Sequence, residues 1–409
     1  MRPIIAAWFS IVAFGAPARA ADPITGPITG PISGPISGPI TGPVTVPIAY
    51  LAFAPELHQP STLLDPIPTD EGLQGARLGL IDDQTTGAFT GQRFTLTESV
   101  KKDADGVLAA AKTLLAGGNR LLVVDLPTDL LLRVADLPEA KSAVLLDATS
   151  EDDRLRGPDC RKNTLHLLPS RAMRADALMQ YLAVKRWRDI LLVTGPTDDD
   201  KALADAFRRS ARKFQLRIVA DKPWTFRPGA QRTDTGHVSI GAEVARFTQG
   251  TSYDTLVVSD SNDDFGDDIA FRTTDPRPVA GTQGMVPTAW AHSFEQWGAT
   301  QLQLRFQKLA NRPMTNKDYG AWMAVRAAGE AATRGGADPV AYLKSPTFEL
   351  AAFKGARLSF RAWDGQLRQP VLLADARSLI SVSPQPGYLH QFSELDTLGI
   401  DQPETACHE

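Results

Sequence analysis

Two polar stretches follow apolar runs in the first half of the chain, and they hold the side chains best placed for ligand chemistry. Arg120-Leu-Leu-Val-Val-Asp-Leu-Pro-Thr-Asp and Ser142-Ala-Val-Leu-Leu-Asp-Ala-Thr-Ser each run from Leu and Val into acids and hydroxyls. Apolar runs without polar alternation suit parallel strands covered on both faces, and ligands of open α/β sheets sit beyond the carboxyl ends of such strands. Asp125 to Asp129 and Asp147 to Ser150 therefore read as half of a binding cleft. A third stretch, Ser259-Asp-Ser-Asn-Asp-Asp-Phe-Gly-Asp-Asp, opens like a calcium loop at Asp260, Asn262 and Asp264. Its glycine falls one place late and Phe271 stands where the bidentate glutamate belongs, so it reads as a solvated loop capping a helix from Phe265, and no metal is expected.

Catalytic patterns are missing. The sequence has no G-x-S-x-G, H-E-x-x-H, G-x-G-x-x-G or phosphate loop ending in Lys-Ser or Lys-Thr. Its six histidines are scattered; His292 and His58 come nearest a cleft and read as structural. Asp263 and Asp264 are adjacent and point apart, a poor general acid and base pair. The chain reads as a binder that needs no cofactor, with a hydrolase or other enzyme the weaker class.

The elements that must position these residues alternate. Strands are expected at 47–53, 92–100, 120–125, 142–147 and 164–168, with helices at 69–83, 103–116 and 128–135, Thr69 or Asp70 serving as N-cap of the first. A second series places helices at 171–187, 198–214 and 239–249 between strands at 189–194, 216–220, 253–260 and 279–286. This rhythm implies mainly parallel, doubly wound sheets. Two helices, 292–310 and 316–334, then stand back to back, and 353–360, 363–369 and 371–373 read as hairpin strands with an Asp364-Gly365 turn.

Bulk properties narrow the class. At 409 residues the chain can form two lobes, and 43% hydrophobic and 22% charged residues describe an ordinary globular protein. The net charge is -4 without a basic patch, which argues against nucleic acid. Residues 1–20 read as a secretory signal ending Ala18-Arg19-Ala20, so a periplasmic protein that is not membrane-embedded is expected, with net charge -6 once Arg2 and Arg19 are lost. Residues 21–46 repeat Gly-Pro-Ile-Thr or Gly-Pro-Ile-Ser, a spacing that suits neither helix, sheet nor collagen, and read as an extended linker or a neutral expansion. Cys160 and Cys407, the only two cysteines, either pair or stay free.

The order of elements, with Tyr319-Gly-Ala-Trp-Met-Ala-Val-Arg-Ala-Ala-Gly-Glu-Ala-Ala and the segment from Gly355 to Leu373, resembles the type I periplasmic binding proteins, the branched-chain amino acid type of ABC transporter component. Leu64-Asp-Pro-Ile-Pro-Thr-Asp-Glu-Gly-Leu, Asp153-Arg-Leu-Arg-Gly-Pro-Asp-Cys, Asp275-Pro-Arg-Pro-Val-Ala-Gly-Thr-Gln-Gly and Asp364-Gly-Gln-Leu-Arg-Gln-Pro further resemble a subfamily associated with PQQ-dependent alcohol dehydrogenase systems. The resemblance implies two lobes joined by three crossovers: 47–168 with 291–346, and 169–290 with 347–385, followed by a tail at 386–409. It implies a small polar or anionic ligand held in the cleft by Thr128, Ala148, Thr149 and Ser150, with Thr128 and Ser150 alternatively plain helix caps. Asp260 and Gln283 would face them from the second lobe, Gln283 where amino-acid binders carry an acid, which argues against a plain branched-chain amino acid. Partners implied are an ABC permease and a quinoprotein dehydrogenase; the other reading is a sensing or accessory subunit without transport.

Overall fold

The computed structural model describes residues 43–54, 68–225 and 240–408. The expected leader, the repeat up to Gly42 and the loop holding His58 lie outside these residues. Strand β1 (Val44–Phe53) is followed by α1 (Leu73–Thr90), β2 (Gln92–Lys101), α2 (Ala104–Ala116), β3 (Leu121–Asp125), α3 (Thr128–Ala135), β4 (Val144–Asp147) and β5 (Thr164–His166). The five strands are parallel in the order β2-β1-β3-β4-β5. β1 begins three residues before Pro47, inside the stretch read as linker. Proline is tolerated there because β3 pairs only with Ala49 to Ala52, leaving Pro47 without a neighbour on that side.

Alternate residues of β1 serve two cores. Ile48, Tyr50 and Ala52 bury against α1 and the late helices, while Ala49 and Leu51 bury against α2 and α3. Helix α1 starts later and runs further than its sequence predicts. Asp82 and Asp83 look like a helix end, yet Asp82 accepts from Trp322 Nε1 at 2.9 Å and Asp83 pairs with Arg326. The expected N-cap residues do not cap α1. Gly72 holds that position, and its N–H donates to Asp318 at 2.8 Å; Asp70 takes Gln74 and Arg312 instead.

The second series is α4 (Arg171–Lys185), β6 (Asp189–Thr194), α5 (Asp198–Lys213), β7 (Arg217–Pro223), α6 (Ile240–Thr248), β8 (Thr255–Ser259), α7 (Gly266–Ile269) and β9 (Val279–Gly281). Its strands are parallel in the order β7-β6-β8-β9. The single strand expected at 279–286 is two. Gly281 (φ 112°) and Gly284 (φ 75°) reverse the chain, and β10 (Val286–Thr288) leaves for another sheet.

The chain then returns to the first sheet. Helix α8 (Ala299–Ala310) starts seven residues later than expected because Trp297 and Gly298 adopt positive φ. Helix α9 (Asn316–Arg334) matches expectation, with a Thr315 and Asp318 capping box. After α10 (Pro339–Leu343), β11 (Leu350–Ala351) and β12 (Arg357–Leu358), a hairpin turns at Asp364-Gly365. This hairpin covers the edge of β5: His166 N–H donates to Gly365 O and Leu367 N–H to His166 O, both at 2.9 Å. Finally β13 (Val371–Ala374) and β14 (Leu379–Ser383) form an antiparallel sheet ordered β10-β13-β14. The chain thus crosses between sheets three times, at Leu167 to Ser170, at Ala289 to Trp290 and at Gln369 to Pro370. Cys160 and Cys407 form a disulfide with Cα atoms 5.6 Å apart, which resolves the two alternatives left by the sequence.

Candidate functional site

Beyond the carboxyl ends of the first sheet lie the loops 125–128 and 147–156. Thr149 Oγ1 donates to Asp125 Oδ1 at 2.8 Å, and the Tyr50 hydroxyl donates to Asp125 Oδ2 at 3.2 Å. Burial pushes the Asp125 carboxyl up, opposed by Lys317 and by these two hydroxyls; burial and Asp125 together hold the Tyr50 phenol protonated. Thr128 Oγ1 donates to Asp152 Oδ2 at 3.0 Å and lies 3.4 Å from Ser150 Oγ. Thr128 is the first residue of α3 and half-buried, but Pro127 holds the cap position, so neither hydroxyl caps that helix. Ala148 is buried and contributes its backbone, donating to Val124 O at 2.9 Å.

The amides at this strand end are engaged within the chain. Thr149 N–H and Ser150 N–H donate to Asp147 Oδ1 at 3.3 and 3.0 Å, and Asp147 Oδ2 lies 2.7 Å from His166 Nδ1. The donors expected to cradle a ligand anion thus already hold a carboxylate of the protein itself. What Thr149 presents is a hydroxyl locked to Asp125.

On the second sheet the two sequence candidates sit side by side and face inward. Asp260 Oδ1 accepts from Asp264 N–H at 3.1 Å, and Oδ2 accepts from Phe265 and Gly266 N–H at 2.8 and 2.7 Å. The loop is solvated at Ser261 to Asp263 and fastens the start of α7 as expected, but the carboxyl that does so is itself buried. Gln283 Nε2 donates to Asp260 O at 3.1 Å, and the amide packs so tightly on Gly266 that a Cβ there would lie 2.0 Å from Oε1. Among the described residues no group of three metal-ligating side chains forms.

The residues joining the two sheets are not among the site residues expected from the sequence. Arg171 at the start of α4 lies between Asp152 (3.5 Å) and Asp199 (2.5 Å), and Arg174 pairs with Glu151. Asp153, half-buried, accepts from Ala172 N–H at 3.0 Å, and desolvation pushes its carboxyl up. Arg156 buries its guanidinium against Gln366 Oε1 (2.8 Å) and the carbonyls of Ser150 (2.8 Å), Asp152 (3.0 Å) and Leu168 (3.2 Å). Lys354 donates to Ala289 O and, at 3.2 Å, to Pro370 O, tying the second crossover to the third. The acids and arginines of 151–156 offered a signal, being too dense for a plain loop; Lys354 offered none.

Two concavities lie away from these loops. One, about 580 Å³, opens at the amino ends of β1 and β2 between Val44, Thr90, Gln92 and Thr333; another, about 280 Å³, surrounds the disulfide and Trp363. Solved structures share this fold over most of the chain. A periplasmic binding protein from Burkholderia mallei superposes with a TM-score of 0.63 at 16% identity, covering 89% of this chain and 98% of its own. A branched chain amino acid ABC transporter periplasmic ligand-binding protein from Burkholderia xenovorans gives 0.64 at 15% identity, covering 83% and 95%. An ABC transporter solute binding protein from R. palustris, in complex with benzoate, gives 0.58 at 12% identity, covering 90% and 99%. The fold is that of the type I periplasmic binding proteins. No protein-family model matches the sequence, and no curated protein matches it. Among the described residues no helix is long and apolar enough to cross a membrane.

Proposed function

We propose that this protein is the periplasmic solute-binding component of an ABC transporter and does no chemistry on its ligand. The observation that carries the reading is the pair of parallel sheets, joined by three crossovers, with hydroxyls and acids at their carboxyl ends. The ligand would lie between those ends, touched by Thr128, Thr149 and Ser150 from one side and by the loops around Asp260 and Gln283 from the other, while Ala148, fully buried, only supports the loop from beneath. Asp147 occupies the amides at Thr149 and Ser150, and Asp125 stands beside Thr149, so a neutral polar or cationic ligand suits the first half-site better than an anion. The work of this protein beside a PQQ-dependent alcohol dehydrogenase rests on the sequence runs at 64–73, 153–160, 275–284 and 364–370.

A thermal-shift screen of the exported form against amino acids, alcohols, organic acids, amines, the quinone cofactor and metal ions tests the reading. A true ligand raises the melting temperature, by mass action on the native state. Thr149→Ala should then weaken its binding by about 1 to 3 kcal/mol through loss of a buried hydrogen bond. Turnover of the ligand by the purified protein would sink the reading, and unchanged affinity in the variant would move the site elsewhere.

A further inference from the structure

The C-terminal tail is wedged between the two lobes and fastened to both. Asp396, fully buried, accepts from Arg361 Nε at 2.9 Å and from Arg368 Nε at 2.8 Å, and Arg361 also donates to Leu395 O (3.1 Å) and Leu398 O (2.7 Å). Both arginines belong to the hairpin that extends the first sheet beyond β5. The next residues bind the second lobe. Leu398 is part of the core formed by α4, α5 and β6, Gln180 Nε2 donates to Thr397 Oγ1 at 3.1 Å, and Gly399 N–H donates to Asp176 Oδ2 at 2.9 Å. Lys213 Nζ closes the set on Asp176 Oδ2 (2.7 Å) and the carbonyls of Thr397 and Gly399 (both 3.1 Å). Gly399, at φ 87°, has no room for a side chain: a Cβ would lie 2.7 Å from Met173 Cγ of α4 and 3.3 Å from Arg361 Nη1 of the hairpin. From there the chain runs back to the first lobe and ends its path in the bond from Cys407 to Cys160, in the loop before β5.

We infer that residues 395–407 form a strap across the hinge that sets how far the two lobes can separate, with the disulfide as its buckle. Lobes with separate cores joined by short crossovers move relative to one another unless something opposes it. Here the opposition is a segment anchored in the second core at Leu398 and covalently held by the first lobe nine residues later. Nine residues span at most about 30 Å even when fully extended, so the anchor points cannot part beyond that while the strap is whole. The ion pairs of Asp396 oppose smaller movements, because separating the hairpin from α4 strips a buried carboxylate of its guanidinium partners.

The test uses the full, ligand-free chain and cuts the strap after folding. A protease recognition site is inserted in the exposed turn Gln402 to Glu404, and spin labels carried on unnatural amino acids replace the exposed Lys112 on α2 and Lys201 on α5. Pulsed electron resonance then reads the distance between lobes in one preparation before and after cleavage. Cleavage should shift the distribution to longer distances and widen it, and reducing the disulfide of the uncut protein should do the same. Superimposable distributions before and after cleavage overturn the strap; a reduced, uncut protein that keeps the narrow distribution overturns the part given to the disulfide. Neither arm uses a ligand, so the outcome is independent of what the cleft binds.

Discussion

Replacing Lys354 with methionine removes an ammonium that is buried with no carboxylate beside it and whose bonds run to Ala289 O and Pro370 O. Burial lowers the amine from 10.5 to about 7. A group whose folded pKa lies below its unfolded one binds fewer protons when folded, so native stability rises with pH between about 7 and 10.5 and is flat below that window. At about 1.4 kcal/mol per pH unit the whole span amounts to about 5 kcal/mol. Asp83 slopes the other way at lower pH, since burial pushes its carboxyl up to about 8 against the pull of Arg326. The phenols of Tyr50 and Tyr319, both raised well above 10, act only at higher pH. Lys344, also lowered by burial, slopes the same way but does so in both proteins, so urea unfolding at about pH 8.5 and about pH 9.5 should show the wild type gaining about 1 kcal/mol more over that step than Lys354→Met. Methionine fits the space but leaves two carbonyls unbonded, so the variant's absolute stability is not the readout; its pH slope is. Equal slopes in the two proteins would show that the ammonium keeps water or a counter-charge at the crossovers, and the reasoning from burial would fail.

Two further substitutions probe the strand ends. Asp147→Ala leaves Thr149 N–H, Ser150 N–H and His166 Nδ1 without their shared acceptor, and should cost about 3 to 5 kcal/mol in urea unfolding, with Asp147→Asn recovering part because it keeps one acceptor oxygen. Gly320→Ala puts a methyl 2.0 Å from Ala148 O, where α9 crosses the end of β4, and should lower stability by about 1 to 3 kcal/mol as the helix is pushed off the sheet; a smaller loss in thermal unfolding would mean that α9 yields freely there.

Strand and helix order was legible because the apolar runs around Val123, Leu145, Leu192 and Val257 are unbroken, and unbroken runs separated by amphipathic helices leave few arrangements other than parallel sheets. Boundaries failed where distant residues decide them. Nothing near Asp82 and Asp83 shows that Trp322 and Arg326 will meet them inside a helix, and nothing near Gly72 shows that Asp318 will accept its N–H. The candidate site was legible as a location but not as chemistry. Thr149 and Ser150 do stand at a strand end, yet whether their amides are free depends on the Asp147 rotamer, which sequence spacing does not determine. Asp260 and Gln283 do follow β8 and β9, but the Asp260 carboxylate is spent on the start of α7, since a four-residue helix offers little cooperativity of its own to hold its first turn, and the Gln283 amide is spent on Asp260 O and Asp263.

The late return of the chain bears on the order in which the molecule is built. One face of the first sheet, with Ile48, Tyr50, Val123 and Leu146, is completed by α9, and the β5 edge is covered only by the hairpin at Arg361 to Leu367. A chain made from its amino terminus thus carries a finished set of five strands for some two hundred residues before their last cover is synthesised, with an apolar face and an open edge in the meantime. Folding of the first lobe is a long-range event governed by closure of that loop, slow by topology and exposed to aggregation while it waits.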